Sequence, residues 1–241
     1  MKNFLLLADK IRDLQYICKI VSNLKSQIIE KLPYYGHDAL FLKNNEITTG
    51  LLNNVTEIKI YLITGDLLFF HSEQGNFVDT IHENISEQLK DIVTKYGLNM
   101  PEIKTRLTNL RTEDLSYYLA FARKANGSLE LFRMKLREHF TQVHLWPHGF
   151  DFSVEWFKGK NDQQIGIGIS PGHDQYGSPY LCVNPYPFDE NVTKEVLPVG
   201  IWHTDGWNGI KLEWKELENK QEQEISMQIF DLFGIAKRNF E

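Results

Sequence analysis

FDFSVEWF, residues 150–157, alternates apolar and polar side chains at every step: Phe150, Phe152, Val154 and Trp156 on one side, Asp151, Ser153 and Glu155 on the other. A period of two belongs to a strand with one buried face. The aromatic side is core, and the polar side reads as the solvated face of a half-buried sheet. Four residues along a strand is about 13 Å, so Asp151 and Glu155 read as too far apart to share one site without help from other strands.

Working outward, QIGIGIS (164–170), PYLCVNPYP (179–187) and GIKLEWKEL (209–217) supply three more strands of the same block. The glycines of QIGIGIS alternate with Ile165, Ile167 and Ile169, which suits a strand packed closely against its neighbour. The next glycine falls at 172, so G-x-G-x-x-G is not matched and nucleotide binding through this run is excluded. A second β block precedes it: HDALFL (37–42), EITTGLL (46–52), EIKIYLI (57–63) and LLFFH (67–71). Asn44-Asn45, Asn53-Asn54 and Gly65-Asp66 separate its members and favour tight turns, because Asn and Gly tolerate positive φ.

Apolar residues at three and four mark helices over Leu7–Leu32, closed by Pro33, and over Val78–Tyr96, closed by Gly97. Thr112 with Glu113 and Asp114 starts another, which Asn126-Gly127 breaks before Leu129–Phe140 resumes. A last helix carries Ile225, Ile229, Phe233, Ala236 and Phe240. Helix, four strands, helix therefore occurs twice. The expectation is an α+β fold of two antiparallel β-meander lobes with flanking helices, one unit over 1–241 with lobes at 1–110 and 111–241 and an internal pseudo-repeat.

At 42% hydrophobic and 12% aromatic residues the chain has ample material for a core. A net charge of −6 and the lack of a Lys/Arg cluster argue against nucleic acid. Phe4–Ala8 is too short for a signal segment and no run reaches the ~18 apolar residues of a membrane span, so a cytoplasmic protein is expected. Cys18 and Cys182 sit in apolar surroundings without C-x-x-C and read as reduced and buried. No P-loop, G-x-S-x-G or cysteine-nucleophile motif occurs.

The densest chemistry lies between His144 and Trp214, which holds four of the eight histidines and all five tryptophans. His144 and His148 have helical ligand spacing, but Pro147 between them opposes a helix. Extended, they could join His173, His203 and Asp205 around zinc, iron or nickel. Such a site would draw on separated loops, and histidines beside Pro and Gly turns are commonly hydrogen-bonded turn residues, so no metal or other cofactor is assigned. Trp146, Tyr176, Tyr180, Tyr186, Trp202 and Trp207 have the composition of a small-molecule pocket, and equally of a packed loop layer.

His144, Trp146, Phe150-Asp151, Pro171-Gly172, Tyr180 and Tyr186-Pro187, with His37 and Thr48-Thr49-Gly50 in the first half, give the chain a pattern that resembles a family of uncharacterised, mostly bacterial proteins sharing a domain of unknown function. The resemblance runs from the first helix to about Leu217 and implies no activity. Relatives carry a small residue at the position of His148 and lack His173 and His203, which moves the weight to His37, His144 and Asp151.

Three function classes follow. The leading one is a small-ligand-binding protein with Trp146, His148, Tyr180, Tyr186, Trp202, His203 and Trp207 around the ligand. The second is a hydrolase-like or metal-assisted enzyme with His37, His144 and Asp151 as acid/base groups. The third is a homodimeric interaction module built on the same aromatics.

Overall fold

The computed structural model of the protein describes residues 7, 11–81, 85–100, 111–136, 139–158, 162–172 and 176–240. The fold is α+β: the described residues form four longer helices and two antiparallel sheets. The helices are α1 (Arg12–Ile28), α2 (Ile85–Tyr96), α3 (Thr112–Met134) and α4 (Glu222–Lys237). The strands are β1 (Phe41–Lys43), β2 (Glu46–Thr48), β3 (Thr56–Tyr61), β4 (Asp66–His71), β5 (Gly75–Thr80), β6 (His144–Trp146), β7 (Asp151–Phe157), β8 (Gln164–Ser170), β9 (Tyr180–Tyr186), β10 (Ile201–His203) and β11 (Gly209–Glu213). The chain divides into two compact units. One comprises Asp9–Phe121 and Leu145–Phe150, the other Ala122–His144 and Asp151–Glu241 together with Leu7.

The first unit holds a meander in the order β1-β2-β3-β4-β5. Its turns use the residues expected of them: Asn44, Asn53, Asn54 and Gly65 all adopt positive φ. Ile47, Ile58, Ile60, Leu67 and Phe69 form the buried side, and Leu14, Ile17, Val21 and Leu24 of α1 and Leu89 and Ile92 of α2 are buried with them. Gly97 takes φ +63° and the Leu98 N–H reaches the Val93 carbonyl, a Schellman ending for α2.

The helix expected from Val78 onward starts later, at Ile85, and residues 75–80 form a fifth strand instead. The His71 ring nitrogen accepts from the amides of Glu73 and Gln74 and closes the turn into it. Val78, counted on the helical stripe, is 59% exposed. Helix α1 ends at Ile28 rather than Leu32, because Ile29 is already extended and Pro33 opens a 3-10 turn.

The six-stranded sheet, whose strands β7 to β11 belong to the second unit, has the order β10-β11-β9-β8-β7-β6. Strands β6 and β10 were not evident from the pattern, being three residues each. The chain leaves β9, passes to the sheet edge as β10 and returns as β11 between β10 and β9, so this sheet departs from a simple meander. Its core side carries Phe152, Val154 and Trp156, Ile165, Ile167 and Ile169, Leu181 and Val183, and Ile210 and Leu212, all buried. Helix α4 lies against β8, β9 and β11 through Ile225, Ile229, Phe233 and Ala236. Ile225, Ile229 and Phe233 each contribute roughly 1.5–3 kcal/mol by leaving water. Phe132, Phe140 and Trp156 meet Phe233 edge to face at 5.5–5.7 Å.

Two further expectations are corrected. Helix α3 runs unbroken through Asn126-Gly127, and the Glu222 carboxylate occupies the space above Gly127, where a Cβ would meet it at 2.5 Å. The same helix ends at Met134, and Phe140 instead bridges to Trp156. Phe150 stands outside the β7 alternation at φ +56°, buried in the first unit against Tyr118 at 5.0 Å.

Gly234 in α4 is exposed, and nothing lies within 4 Å of where its Cβ would be. Gly234→Ala is therefore expected to stabilise the protein by up to about 1 kcal/mol, since alanine loses less backbone entropy in a helix. A rise in the thermal midpoint checks this, and a fall would mean the last turns of α4 are not helical in solution.

Candidate functional site

The strand registers place one row of side chains after another on the face of the second sheet away from α4. Ser153 pairs with Gly168, Gly168 with Cys182, and Cys182 with Lys211; one step along, Glu155 pairs with Gly166 and Gly166 with Asn184. The glycines of QIGIGIS thus form a strip without side chains between β7 and β9. The acidic side chains lean into it. A Cβ on Gly166 would meet the Glu155 Oε2 at 3.0 Å, and one on Gly168 would meet the Asp151 Oδ2 at 3.5 Å and the Cys182 Sγ at 3.1 Å.

The two carboxylates therefore converge on neighbouring floor positions two residues apart, about 7 Å, instead of the ~13 Å measured along β7. This overturns the reading of Asp151, Ser153 and Glu155 as a solvated face. Ser153 is buried, Asp151 and Glu155 are half-buried, and the Ser153 hydroxyl donates to Glu155 Oε1 at 3.1 Å. The Asp151 carboxylate accepts, among the described residues, only from its own amide.

Burial, opposed by that single amide, raises the Asp151 pKa to about 6. For Glu155, burial and secondarily the charge of Asp151 raise it to about 7, against the Ser153 hydrogen bond. Burial also pushes the Cys182 thiol far upward, with the Asp151 charge adding to it, so Cys182 is a neutral thiol that donates to the Gly168 carbonyl at 3.5 Å. Cys182 is half-buried on this polar face, while Cys18 is buried; both are free.

An aromatic wall borders the strip. Trp207 stacks on His203 at 4.2 Å and lies parallel to Tyr180 at 6.2 Å, and Tyr176 packs edge-on against Tyr180 and His203, both at 5.4 Å. The His203 Nδ1 is 2.9 Å from the Trp207 carbonyl, and the Tyr176 hydroxyl donates to the Asp205 carbonyl. Lys211 lies over the rings of Tyr176 and Tyr180 at 5.0 and 5.5 Å and pairs with Glu213 at 2.7 Å. Tyr180 joins wall to floor: a hydrogen bond to Ser170 ties its hydroxyl to the residue across from it on β8, while burial raises its pKa and keeps it neutral.

Of the residues singled out in the sequence, Tyr180, His203 and Trp207 are brought together, with Asp151 on the same sheet face. His144 lies in the same unit, half-buried at the start of β6, and Asp151 does not hydrogen-bond to it. Tyr186 shares the face but sits at its far end, 59% exposed, before a cis peptide to Pro187. Trp202 points to the opposite face, level with Ile210, and donates to the Glu195 carbonyl.

Trp146 and His148 belong to the first unit, where Gln15 reaches the carbonyl of His148 at 2.6 Å. His37 is also in the first unit. Its Nδ1 accepts from the Leu32 amide, and Lys25, buried and lowered to a pKa of about 8 by that burial, donates to the carbonyls of Gly36 and Ala39 on either side of the turn. His173 lies outside the described residues. Among the described residues no three or more His, Cys, Asp or Glu side chains are grouped to hold a metal ion.

The residues that pattern reading missed are Glu155, Cys182, Lys211 and the two floor glycines. The available signal was the alternation itself, since Gly166 and Gly168 share the parity of Glu155 and Ser153 once β7 and β8 are paired. Among the described residues no helix is long and apolar enough to cross a membrane. Comparison of the chain with protein-family models, with curated proteins and with solved structures finds no match.

Proposed function

We propose that the second unit binds a small organic molecule on this sheet face, the Asp151–Ser153–Glu155 row supplying polar contacts and Tyr176, Tyr180, His203 and Trp207 the apolar wall. The observation that carries the reading is Asp151. A carboxylate drawn out of water without a partner group costs stability, and such a group beside a wall of aromatic side chains has the composition of a ligand site. A ligand-observed NMR screen of a fragment library tests it. Hits are expected to lose their signal transfer in Asp151→Asn or Trp207→Leu, and a screen without hits, or hits indifferent to both variants, would end the reading.

The same pair favours an acid/base enzyme as the second reading, with Glu155 rather than His37 beside Asp151. Acidities of about 6 and 7 leave one group ionised and the other partly protonated near neutrality. Turnover of chromogenic esters, phosphoesters or glycosides, falling at least a hundredfold in Glu155→Gln, is its expected sign.

A further inference from the structure

We infer that the molecule taken up by the Asp151–Glu155 strip is an organic cation with several N–H donors, an amine or guanidine, whose other end carries a hydrogen-bond acceptor. This rests on the small-molecule reading above and names its chemistry. The two carboxylates lie over Gly168 and Gly166, and a group donating about 2.8 Å hydrogen bonds to both sides would fill that gap.

Nothing in the described protein does so. Asp151 accepts only from its own amide, and the cation on the same face, Lys211, is engaged by Glu213 and the tyrosine rings three strands from β7. A separate observation comes from the wall. The Trp207 indole Nε1 is shielded from water and has no acceptor among the described residues. A shielded donor without an acceptor costs about 1–3 kcal/mol, and an acceptor on the bound molecule would remove that cost. The wall also offers aromatic faces to a cationic chain, as Lys211 already illustrates.

Binding should be coupled to protons. The titratable groups on the other strands and loops of this sheet are Cys182 and Tyr180, both neutral because burial raises them, the mutually neutralising Lys211 and Glu213, Tyr176 and His203 in the wall, Tyr186 at the far end of the face, and His144 on β6. The acidic pair is the group that meets the cation: it holds a proton when the site is empty near neutrality and gives it up to solvent when the cation binds.

The test is isothermal titration calorimetry of the full chain with 4-guanidinobutyrate, with butylguanidinium and butyrate as single-ended probes, at pH 7.5 and 5 in buffers of differing ionisation enthalpy. Saturable binding of the two guanidinium compounds is expected, with butyrate silent. Affinity should fall about tenfold or more at pH 5 and in Asp151→Asn, and net proton release should accompany binding at pH 7. Trp207→Phe, which keeps an aromatic face but removes the indole N–H, should weaken 4-guanidinobutyrate more than butylguanidinium. Equal binding of butyrate, or guanidinium binding indifferent to Asp151→Asn in a variant of undiminished thermal stability, overturns the inference. Fragment hits that need Asp151 without guanidinium binding would overturn it while leaving the small-molecule reading in place.

Discussion

The double variant Asp151→Asn/Glu155→Gln is expected to be more stable than the natural protein at pH 8 and equal to it at pH 4. Both carboxyls bind protons more tightly folded than unfolded, Asp151 at about 6 against 3.8 and Glu155 at about 7 against 4.5. Between about pH 4 and 7 the native state therefore holds more protons than the unfolded chain, and stability falls as pH rises through that window. At about 1.4 kcal/mol per pKa unit the loss is on the order of a few kcal/mol for the pair. The neutral amides keep the shape, and the amide oxygen introduced in place of the Glu155 carboxylate can still accept from Ser153, so the variant escapes this loss. For a chain of this size it corresponds to a midpoint roughly 5–10 °C higher at pH 8. Thermal unfolding of both proteins from pH 4 to 8.5 decides it. A constant difference across the range would mean that the carboxyls are well solvated and the strip is no recess.

Gly209→Ala is expected to cost about 3 kcal/mol or more. Gly209 opens β11 at φ +152°, where side chains are strained, and its Cβ would lie 2.4 Å from the Val183 carbonyl oxygen and 3.1 Å from the Asn184 Cα. Both obstacles are backbone atoms of β9 and cannot rotate away. Strain of about 1–3 kcal/mol and a comparable overpacking term add. Gly209 also pairs with His203, so separation of β11 from β9 should dislodge the Trp207–His203 stack and weaken any ligand that needs the wall. Thermal unfolding followed by circular dichroism measures the first effect, and titration of the variant with a bound probe the second. A midpoint within a degree or two of the natural protein would show that β9 and β11 are less closely apposed than described. The contrast with Gly234→Ala separates a glycine needed for approach from one that is merely tolerated.

Much of the fold was legible. Strands β7, β8, β9 and β11 announce themselves by alternation, and Asn44, Asn53, Asn54, Gly65 and Gly97 stand at turns and ends because positive φ is cheap there. What misled were coincidences of period. Val78 and Ile81 fit a helical stripe by spacing, yet the turn built on His71 sets residues 75–80 in register with β4. Gly127 looks like a break until Glu222, far along the chain, is found in the space its missing side chain leaves.

For the site, Asp151, Tyr180, His203 and Trp207 were recognisable as side chains suited to binding, because residue type and local alternation are properties of the chain itself. Which of them meet was not recognisable. Distance along β7 separates Asp151 from Glu155, but the register with β8 lays both over a glycine strip, and the order β9-β11-β10 carries Trp207 and His203 to its border. By itself the sequence determined the α+β class, most turns and which faces are apolar, since those follow from periods of two and 3.6. Only the tertiary structure decided strand order, register and the desolvation of the two carboxyls, because these depend on neighbours that are remote in the chain and a few ångströms away in space.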